Sequence, residues 1–393
     1  MQSDIMSHLF LRPIFLLALL IAAASPMMGQ SETAKAPAPK RPRLPFTAAI
    51  RVGDTHYISG WGSRDPKTGK HPDGFEAQTR QLLVNLRELL EKNGLKLSDV
   101  VHTHAYVTYP ERLADFHRIY AEYFPTRPPA LTTMGIPKLP ATEVEITFVA
   151  SHRKDVAAVQ LPGAAPRSHA SPAIRDGEYL YISDMAEVGG PAKGVSEQTR
   201  RALGQLEAVL AASKLTLGDV VKIELYLTDL AQLDAVNQIL RPAFKHAPTR
   251  TVVGVRELPN GAALALNAIA ARGGKAVKAA GVASSADESA AIQVGNRLFI
   301  SGRTATPTLD TAGQIREVMD DFGKLLKAAG MNFSHVVKGK VYVATMEDYA
   351  AMNAAYGSYF TDLFPTRSCI EMTALPHNAK VAITLTADSS PRR

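Results

Sequence analysis

The sequence predicts an α+β fold in which one sheet-plus-two-helix unit occurs three times. The first observation is a strand signature that recurs as THYISGWG at 55–62, EYLYISDM at 178–185 and NRLFISGR at 296–303. The second is a helical stretch after each copy, QTRQLLVNLRELLEKNGL, QTRRALGQLEAVLAASKL and QIREVMDDFGKLLKAAGM, with apolar residues three and four apart. The third is the period. Copies return about every 120 residues, which marks whole domains, whereas solenoid units run at 20 to 50.

Each element follows in order. A Val-Gly or Asp-Gly turn joins a first strand to the signature strand, and the helix comes next. A hinge and strand, LSDVVHTHAYV, LGDVVKIELYL or FSHVVKGKVYV, leads to a shorter helix ending in Tyr123-Phe124, Ala243-Phe244 or Tyr359-Phe360. Two last strands are expected around Leu139-Pro140, Leu258-Pro259 and Leu375-Pro376. The expected order is β-β-α-β-α-β-β, with both helices on one face of a mostly antiparallel sheet. This places repeat one at 46–152, repeat two at 168–272 and repeat three at 288–388. The joins, AAVQLPGAAPRSH at 157–169 and GGKAVKAAGVASSADE at 273–288, are small and polar.

Composition agrees with packed domains. The chain has 393 residues, of which 46% are hydrophobic and 21% charged, which excludes a stapled miniature scaffold and a disordered chain. Its one cysteine, Cys369, closes no intramolecular disulfide, and neither a CxxC pair nor an HExxH helix is present. The formal charge is +7, but much of the excess sits in Lys40-Arg41-Pro42-Arg43 and in Arg392 and Arg393. The repeats themselves therefore show no nucleic-acid footprint.

The first residues form a separate object. The apolar run IFLLALLIAAA from Ile14 to Ala24 is too short for a bilayer span, which needs about twenty residues, and fits the core of a secretory leader over 1–29. The expected location is periplasmic or secreted, with an uncleaved anchor as the rival reading. The Pro- and Lys-rich stretch 30–45 reads as a solvated tether, with no stable membrane partner.

The Ser-Gly strand, the EAQTRQ helix start, the DVV hinge, the Tyr-Phe helix end and the FPTRSCIE strand together resemble the RidA (YjgF/L-PSP) family. The resemblance spans nearly all of 46–388 in three copies. It implies a chorismate-mutase-like unit that normally forms homotrimers with ligand clefts between subunits. It also implies hydrolysis of 2-imino or enamino acids to 2-oxo acids and ammonia without a cofactor. The implied partner is a small carboxylate, a 2-imino or 2-oxo acid. Three copies in one chain suggest a monomeric pseudo-trimer, since each apolar sheet face needs a neighbour.

Such a substrate needs a guanidinium fork for its carboxylate and a positioned water for its electrophilic carbon. Carried over by resemblance, the fork becomes Arg250 and Arg367, with Leu131 at that place in repeat one. The water-orienting carboxylate becomes Glu145, with Ala265 and Ala382 in repeats two and three. Taken as cross-strand neighbours within a repeat, these positions leave no repeat with both halves, so weak catalysis is expected unless backbone carbonyls or a group from the neighbouring repeat hold the water. Ser301, Gly302, Asn353, Arg367 and Cys369 make repeat three the best-preserved cradle. Repeat two keeps Ser183, Asn237 and Arg250 but has Asp184 in the glycine position, where it would repel a carboxylate or pair with the arginine. Repeat one keeps Ser59 and Gly60, has His117 in the asparagine position, and alone keeps the capping aromatic, Phe46, which Ala170 and Glu288 replace elsewhere. The order of repeats around the ring, and hence which arginine meets which cap, is not fixed by the sequence.

The smaller signals have plain readings. Cys369 is read as a small residue beside the arginine, and His102 and His104 as solvated strand histidines in preference to a metal pair. Gly189, Gly190 and Gly194 read as a shortened loop. Two functions stay open: a weakened RidA-like hydrolase, and a non-catalytic binding or interaction module. The ribonuclease activity attached to some relatives lacks a basic, aromatic stripe to hold RNA.

Overall fold

A computed structural model describes residues 44–161, 163, 167–185, 194–361 and 363–393. The expected leader, most of the tether, and Gly189 and Gly190 lie outside the described residues. Among the described residues, no helix is long and apolar enough to cross a membrane.

Repeat one runs β1 (Ala49–Val52), β2 (Thr55–Ile58), α1 (Phe75–Lys92), β3 (Val100–Val107), α2 (Leu113–Tyr123), β4 (Ala130–Gly135) and β5 (Val144–Ser151), the predicted order. Repeat two adds an edge strand, β6 (Ala157–Val159), before β7 (Ala173–Asp176), β8 (Tyr179–Ile182), α3 (Val195–Ala212), β9 (Val220–Leu227), α4 (Leu233–Ala243), β10 (Thr249–Gly254) and β11 (Leu264–Ala270). Repeat three likewise adds β12 (Lys275–Val277), then β13 (Ala291–Val294), β14 (Arg297–Ile300), β15 (Arg303–Thr304), α5 (Thr311–Ala328), β16 (Val336–Val343), α6 (Tyr349–Gly357), β17 (Thr366–Glu371) and β18 (Val381–Asp388). Both joins thus contribute a short strand, a pattern hidden in their Ala- and Gly-rich composition.

The sheet order in repeat one is β1-β2-β5-β3-β4, and β3-β4 is its parallel pair. This corrects one expectation. β3 lies between β4 and β5, pairing Thr103 with Leu131 and Tyr106 with Glu145, so Leu131 and Glu145 are not cross-strand neighbours. The same holds for Arg250 with Ala265 and Arg367 with Ala382. A parallel β3-β4 pair needs the α2 crossover, and that crossover carries β4 past β3 to the sheet edge.

The DVV hinge has a physical basis. In repeat one a 3₁₀ turn over Leu97–Asp99 is closed by the Lys96 N–H donating to Asp99 Oδ2 at 2.7 Å, and Thr216 does the same to Asp219 at 2.9 Å. The second valine of each pair, Val101, Val221 or Val337, is skipped in the antiparallel ladder as a bulge. It is buried between the repeats.

Each long helix buries one stripe against its own sheet. On α1 the stripe is Leu82, Leu83, Leu86 and Leu90, all fully buried, each contributing roughly 1.5–3 kcal/mol. A glutamine one turn into the helix then stitches it to the last hairpin. Gln78 Oε1 accepts from the Glu143 N–H at 3.2 Å, Gln198 from Ala263 at 2.8 Å and Gln314 from Lys380 at 2.9 Å.

The opposite sheet faces meet one another. One apolar cluster joins Tyr106, Tyr226 and Tyr342 with Ile136, Val255 and Met372, one set from each repeat. A second joins Ile50, Ile174 and Ile292 with the three bulged valines. Backbone hydrogen bonds close the ring: Gly60 N–H to Arg367 O (3.0 Å), Asp184 N–H to Leu131 O (3.0 Å) and Gly302 N–H to Arg250 O (2.8 Å). Repeat one therefore docks on repeat three, repeat two on repeat one, and repeat three on repeat two.

Between the two apolar clusters lies a polar layer that the sequence reading missed. His102 and His104 are buried there, at 4% and 2% exposure, and are not solvated. Glu224 gathers the layer. Its carboxylate accepts from Lys340 Nζ (2.8 and 2.9 Å), Tyr226 Oη (2.9 Å) and Asn267 Nδ2 (3.1 Å), with His104 Nε2 at 2.8 Å and Lys222 Nζ at 3.3 Å. Burial pushes the His104 imidazole down to about 3, so it stays neutral at physiological pH. The missed signal was alternation: HTHAY, KIELY and KGKVY each point their first, third and fifth residues the same way, towards the axis.

Candidate active site

Each of the three clefts is organised by the signature serine. Ser59 Oγ–H donates to the Thr47 carbonyl at 2.6 Å and accepts the Arg367 N–H at 2.9 Å. Ser183 does the same with Ser171 and Leu131, and Ser301 with Ser289 and Arg250. One buried hydroxyl thus ties the entry segment to the neighbouring repeat's edge strand. Each acceptor carbonyl lies twelve residues before its serine, so the residues preceding these carbonyls, Phe46, Ala170 and Glu288, stand at equivalent places in the three clefts.

The cleft between repeats three and one, here the 3/1 cleft, unites residues that the sequence reading had separated. Arg367 is 4% exposed, and its guanidinium lies 5.3 Å from the ring centroids of both Phe46 and Tyr356. Its Nη1 reaches only Met352 Sδ, at 3.5 Å, and its Nε is buried without a partner. Glu145 comes from repeat one and faces the same space, with Oε1 buried and unpartnered. Burial raises its carboxyl to about 8, with the Arg367 charge pulling the other way. Gly60 has a steric reason: a Cβ there would stand 2.0 Å from Glu145 Oε1 and 2.5 Å from its Cδ. Asn353 follows Met352 on α6 and has a buried, unpartnered Oδ1. Cys369 is buried, and burial pushes its thiol up to about 12, so it stays protonated and acts as a small neighbour of Arg367.

No single repeat holds both the fork arginine and the glutamate, as the sequence implies, but the 3/1 cleft does. The two halves come from different repeats, and the fold closes them together. The assignment of a single cradle to repeat three changes as well: Arg367, Asn353 and Cys369 face Ser59, Gly60, Glu145 and Phe46, whereas Ser301 and Gly302 face Arg250.

The 2/3 cleft has a volume of about 590 Å³, lined among others by Asn237, Arg250, Thr251, Glu288, Gly302 and Ala382. It has a guanidinium but no counterpart of Glu145. Ala382 thus belongs beside Arg250, and not opposite Arg367 as the cross-strand reading implied. In the 1/2 cleft neither the arginine position nor the glutamate position is kept. Leu131 stands in the arginine place, and the imidazoles of His117 and His169 stack 4.0 Å apart. Asp184 accepts the Thr133 N–H at 2.9 Å and pairs with Arg167 at 3.4 Å, so it neither meets Arg250 nor faces a ligand fork.

Chemically, the 3/1 boundary brings together a guanidinium and a carboxyl group that both carry buried polar atoms without partners. Among the described residues, no group of three or more His, Cys, Asp or Glu could hold a metal ion.

Three sheet-plus-two-helix units with clefts shared between neighbours define a tandem, internally pseudo-threefold α+β protein. The chain belongs to the endoribonuclease L-PSP family, whose model matches residues 34–152, 163–272 and 280–389. It is similar to a RutC family protein of Sulfurisphaera tokodaii, 38% identical over 121 residues, covering 30% of this chain and 94% of the relative. It is also similar to the 2-iminobutanoate/2-iminopropanoate deaminase of Escherichia coli K12, 34% identical over 101 residues, covering 23% of this chain and 79% of that enzyme. Among solved structures it resembles RidA from an Antarctic Psychrobacter, at 30% identity and a TM-score of 0.27, covering 27% of this chain and 87% of that one.

Proposed function

We propose that this protein hydrolyses small 2-imino acids to 2-oxo acids and ammonia, and that it does so in the 3/1 cleft. The observation behind this reading is the meeting of Arg367 and Glu145, both buried and both with unpartnered polar atoms, across one inter-repeat boundary. The similarity to the Escherichia coli imine deaminase supports the same chemistry.

The steps balance with these groups alone. Arg367 holds the substrate carboxylate, and a water beside Glu145 attacks the iminium carbon. The C–O bond forms while the C=N π pair moves to nitrogen, and the water's proton passes to the Glu145 carboxylate. That proton then passes to the nitrogen, and Glu145, ionised again, takes the proton of the carbinolamine hydroxyl as the C–N bond breaks and the carbonyl forms. Ammonia leaves and carries that proton away as ammonium, which restores the carboxylate. The net reaction adds one water and releases one ammonia.

This role requires ionised Glu145. Because its carboxyl is raised to about 8, the competent fraction is small at pH 6.5 and grows as pH rises through 8. A pH profile of imine hydrolysis should therefore climb between 6.5 and 9, and Glu145→Gln should flatten it. A wild-type profile already level at pH 6.5 would remove Glu145 from the proton transfer.

The closed hydrogen-bonded ring supports a single chain as the working unit. Light scattering should give the mass of one chain, 42.3 kDa or less if a leader is removed. A threefold larger mass would show that the repeats of separate chains assemble instead.

A further inference from the structure

We propose that the 2/3 cleft is a second ligand site, one that binds an α-amino acid with an apolar side chain and does not hydrolyse it. This rests on the same guanidinium chemistry as the reading of the 3/1 cleft, but on different residues. In the 3/1 cleft the entry segment supplies an aromatic ring, Phe46, and the far strand supplies a carboxylate, Glu145. In the 2/3 cleft these are exchanged. The entry segment supplies the carboxylate, Glu288, and the far strand supplies only a methyl group, Ala382.

Arg250 is 4% exposed, and its guanidinium forms no hydrogen bond or ion pair among the described residues. Glu288 also lines the cleft, yet the two charges stand further apart than an ion pair. Burial raises the Glu288 carboxyl to about 7, with Arg250 and then Arg303 opposing. Two more polar atoms, Asn237 Oδ1 and Thr251 Oγ1, are buried without partners on the Arg250 side of the site. The buried guanidinium and the half-buried carboxylate have no protein partner for their charges among the described residues, so each depends on whatever fills the cleft. One small molecule supplies both missing partners if it carries a carboxylate and an ammonium on neighbouring atoms, as an α-amino acid does. A 2-oxo acid offers Glu288 no cation, and a 2-imino acid here meets no group placed to direct water at it.

The backbone that carries this carboxylate is held in place. Ser285 Oγ accepts the N–H groups of Asp287 (3.1 Å) and Glu288 (3.2 Å). Asp287 forms two 2.8 Å bonds with Arg241 of α4, and Ser289 Oγ–H donates to the Ala247 carbonyl at 2.6 Å. The segment bearing Glu288 is therefore pinned on both sides, which lowers the ordering cost of binding. The remaining wall includes Leu233, Val252, Ala305, Pro307 and Pro376, and the volume of about 590 Å³ has room for an aliphatic side chain.

The test is calorimetric titration of the full chain bearing Arg367→Leu, which silences the fork of the 3/1 cleft. The probes are L-leucine and 4-methyl-2-oxopentanoate, which share a carbon skeleton and differ at the ammonium. One leucine should bind per chain at least ten-fold more tightly than the oxo acid. Glu288→Gln should abolish that preference, and Arg250→Leu should abolish binding of both. Leucine density between Arg250 and Glu288 in wild-type crystals is an independent readout that needs no variant to fold. Equal or tighter binding of the oxo acid, a preference that survives Glu288→Gln, or no binding with an empty cleft in leucine-soaked crystals would overturn the proposal. None of these outcomes depends on whether the 3/1 cleft hydrolyses imines.

Discussion

Replacing Glu145 by glutamine is expected to lower kcat/KM for hydrolysis of 2-iminobutyrate by about 10² to 10⁴, the usual contribution of one positioned general base. The side chain keeps its volume against Gly60, so the loss reports the proton transfer and not the packing. Arg367→Leu should fail in another way. It removes a charge-assisted fork worth roughly 1.5–3 kcal/mol, so substrate binding falls together with turnover. The measurement couples an amino-acid oxidase, which generates the imine, to detection of the 2-oxo acid with and without this protein. Full activity in Glu145→Gln would show that water is oriented by another group. Ala382→Glu is a companion variant: its carboxylate would enter the 2/3 cleft beside Arg250, so any gain in hydrolysis there should vanish with Arg250→Leu and persist with Arg367→Leu.

The largest expected stability effect lies on the axis. Glu224 is 3% exposed and balances Lys340 and Lys222, so Glu224→Gln leaves two buried ammonium groups without their counter-charge. Breaking a buried pair from one side costs about 3–5 kcal/mol, to be read as a fall in the denaturant midpoint. The same group sets an acid limit. Burial alone would raise its carboxyl, but the Lys340 and Lys222 charges win and hold it well below the ordinary glutamate range. Its stabilisation is therefore present above about pH 4.5 and is lost as pH falls further. Denaturation followed from pH 7 to pH 3 should show this loss in the wild type and a shallower dependence in Glu224→Gln. A Glu224→Gln midpoint equal to wild type would mean that the lysines are neutral in the folded protein.

Only three-dimensional closure puts identical axial positions of the three repeats in contact, and here the tandem chain has a freedom that identical subunits lack. Three copies of Glu224 or of Lys340 around one axis would repel one another. A single chain can place histidine, glutamate and lysine at the same level, so that each satisfies the next.

Local pattern encodes the elements of each repeat. Apolar spacing along 78–95, 198–215 and 314–331 marks three long helices, and Gly53, Gly177 and Gly295 adopt the positive φ of the turns before the signature strands. The candidate residues Arg250, Arg367, Glu145, Gly60 and Phe46 were legible through the family resemblance, which carries each onto a position of the repeat. The tertiary structure alone decided which of them meet. The parallel β3-β4 pairing separates Leu131 from Glu145 by a whole strand within repeat one, and docking of repeat one on repeat three brings Arg367, 222 residues further along the chain, into the Glu145 cleft. Sequence periodicity reports which face of a strand a side chain occupies, since that follows from local backbone geometry. It is silent on which neighbouring repeat covers that face, because burial of apolar surface is non-directional and the serine and backbone hydrogen bonds are the same at all three boundaries.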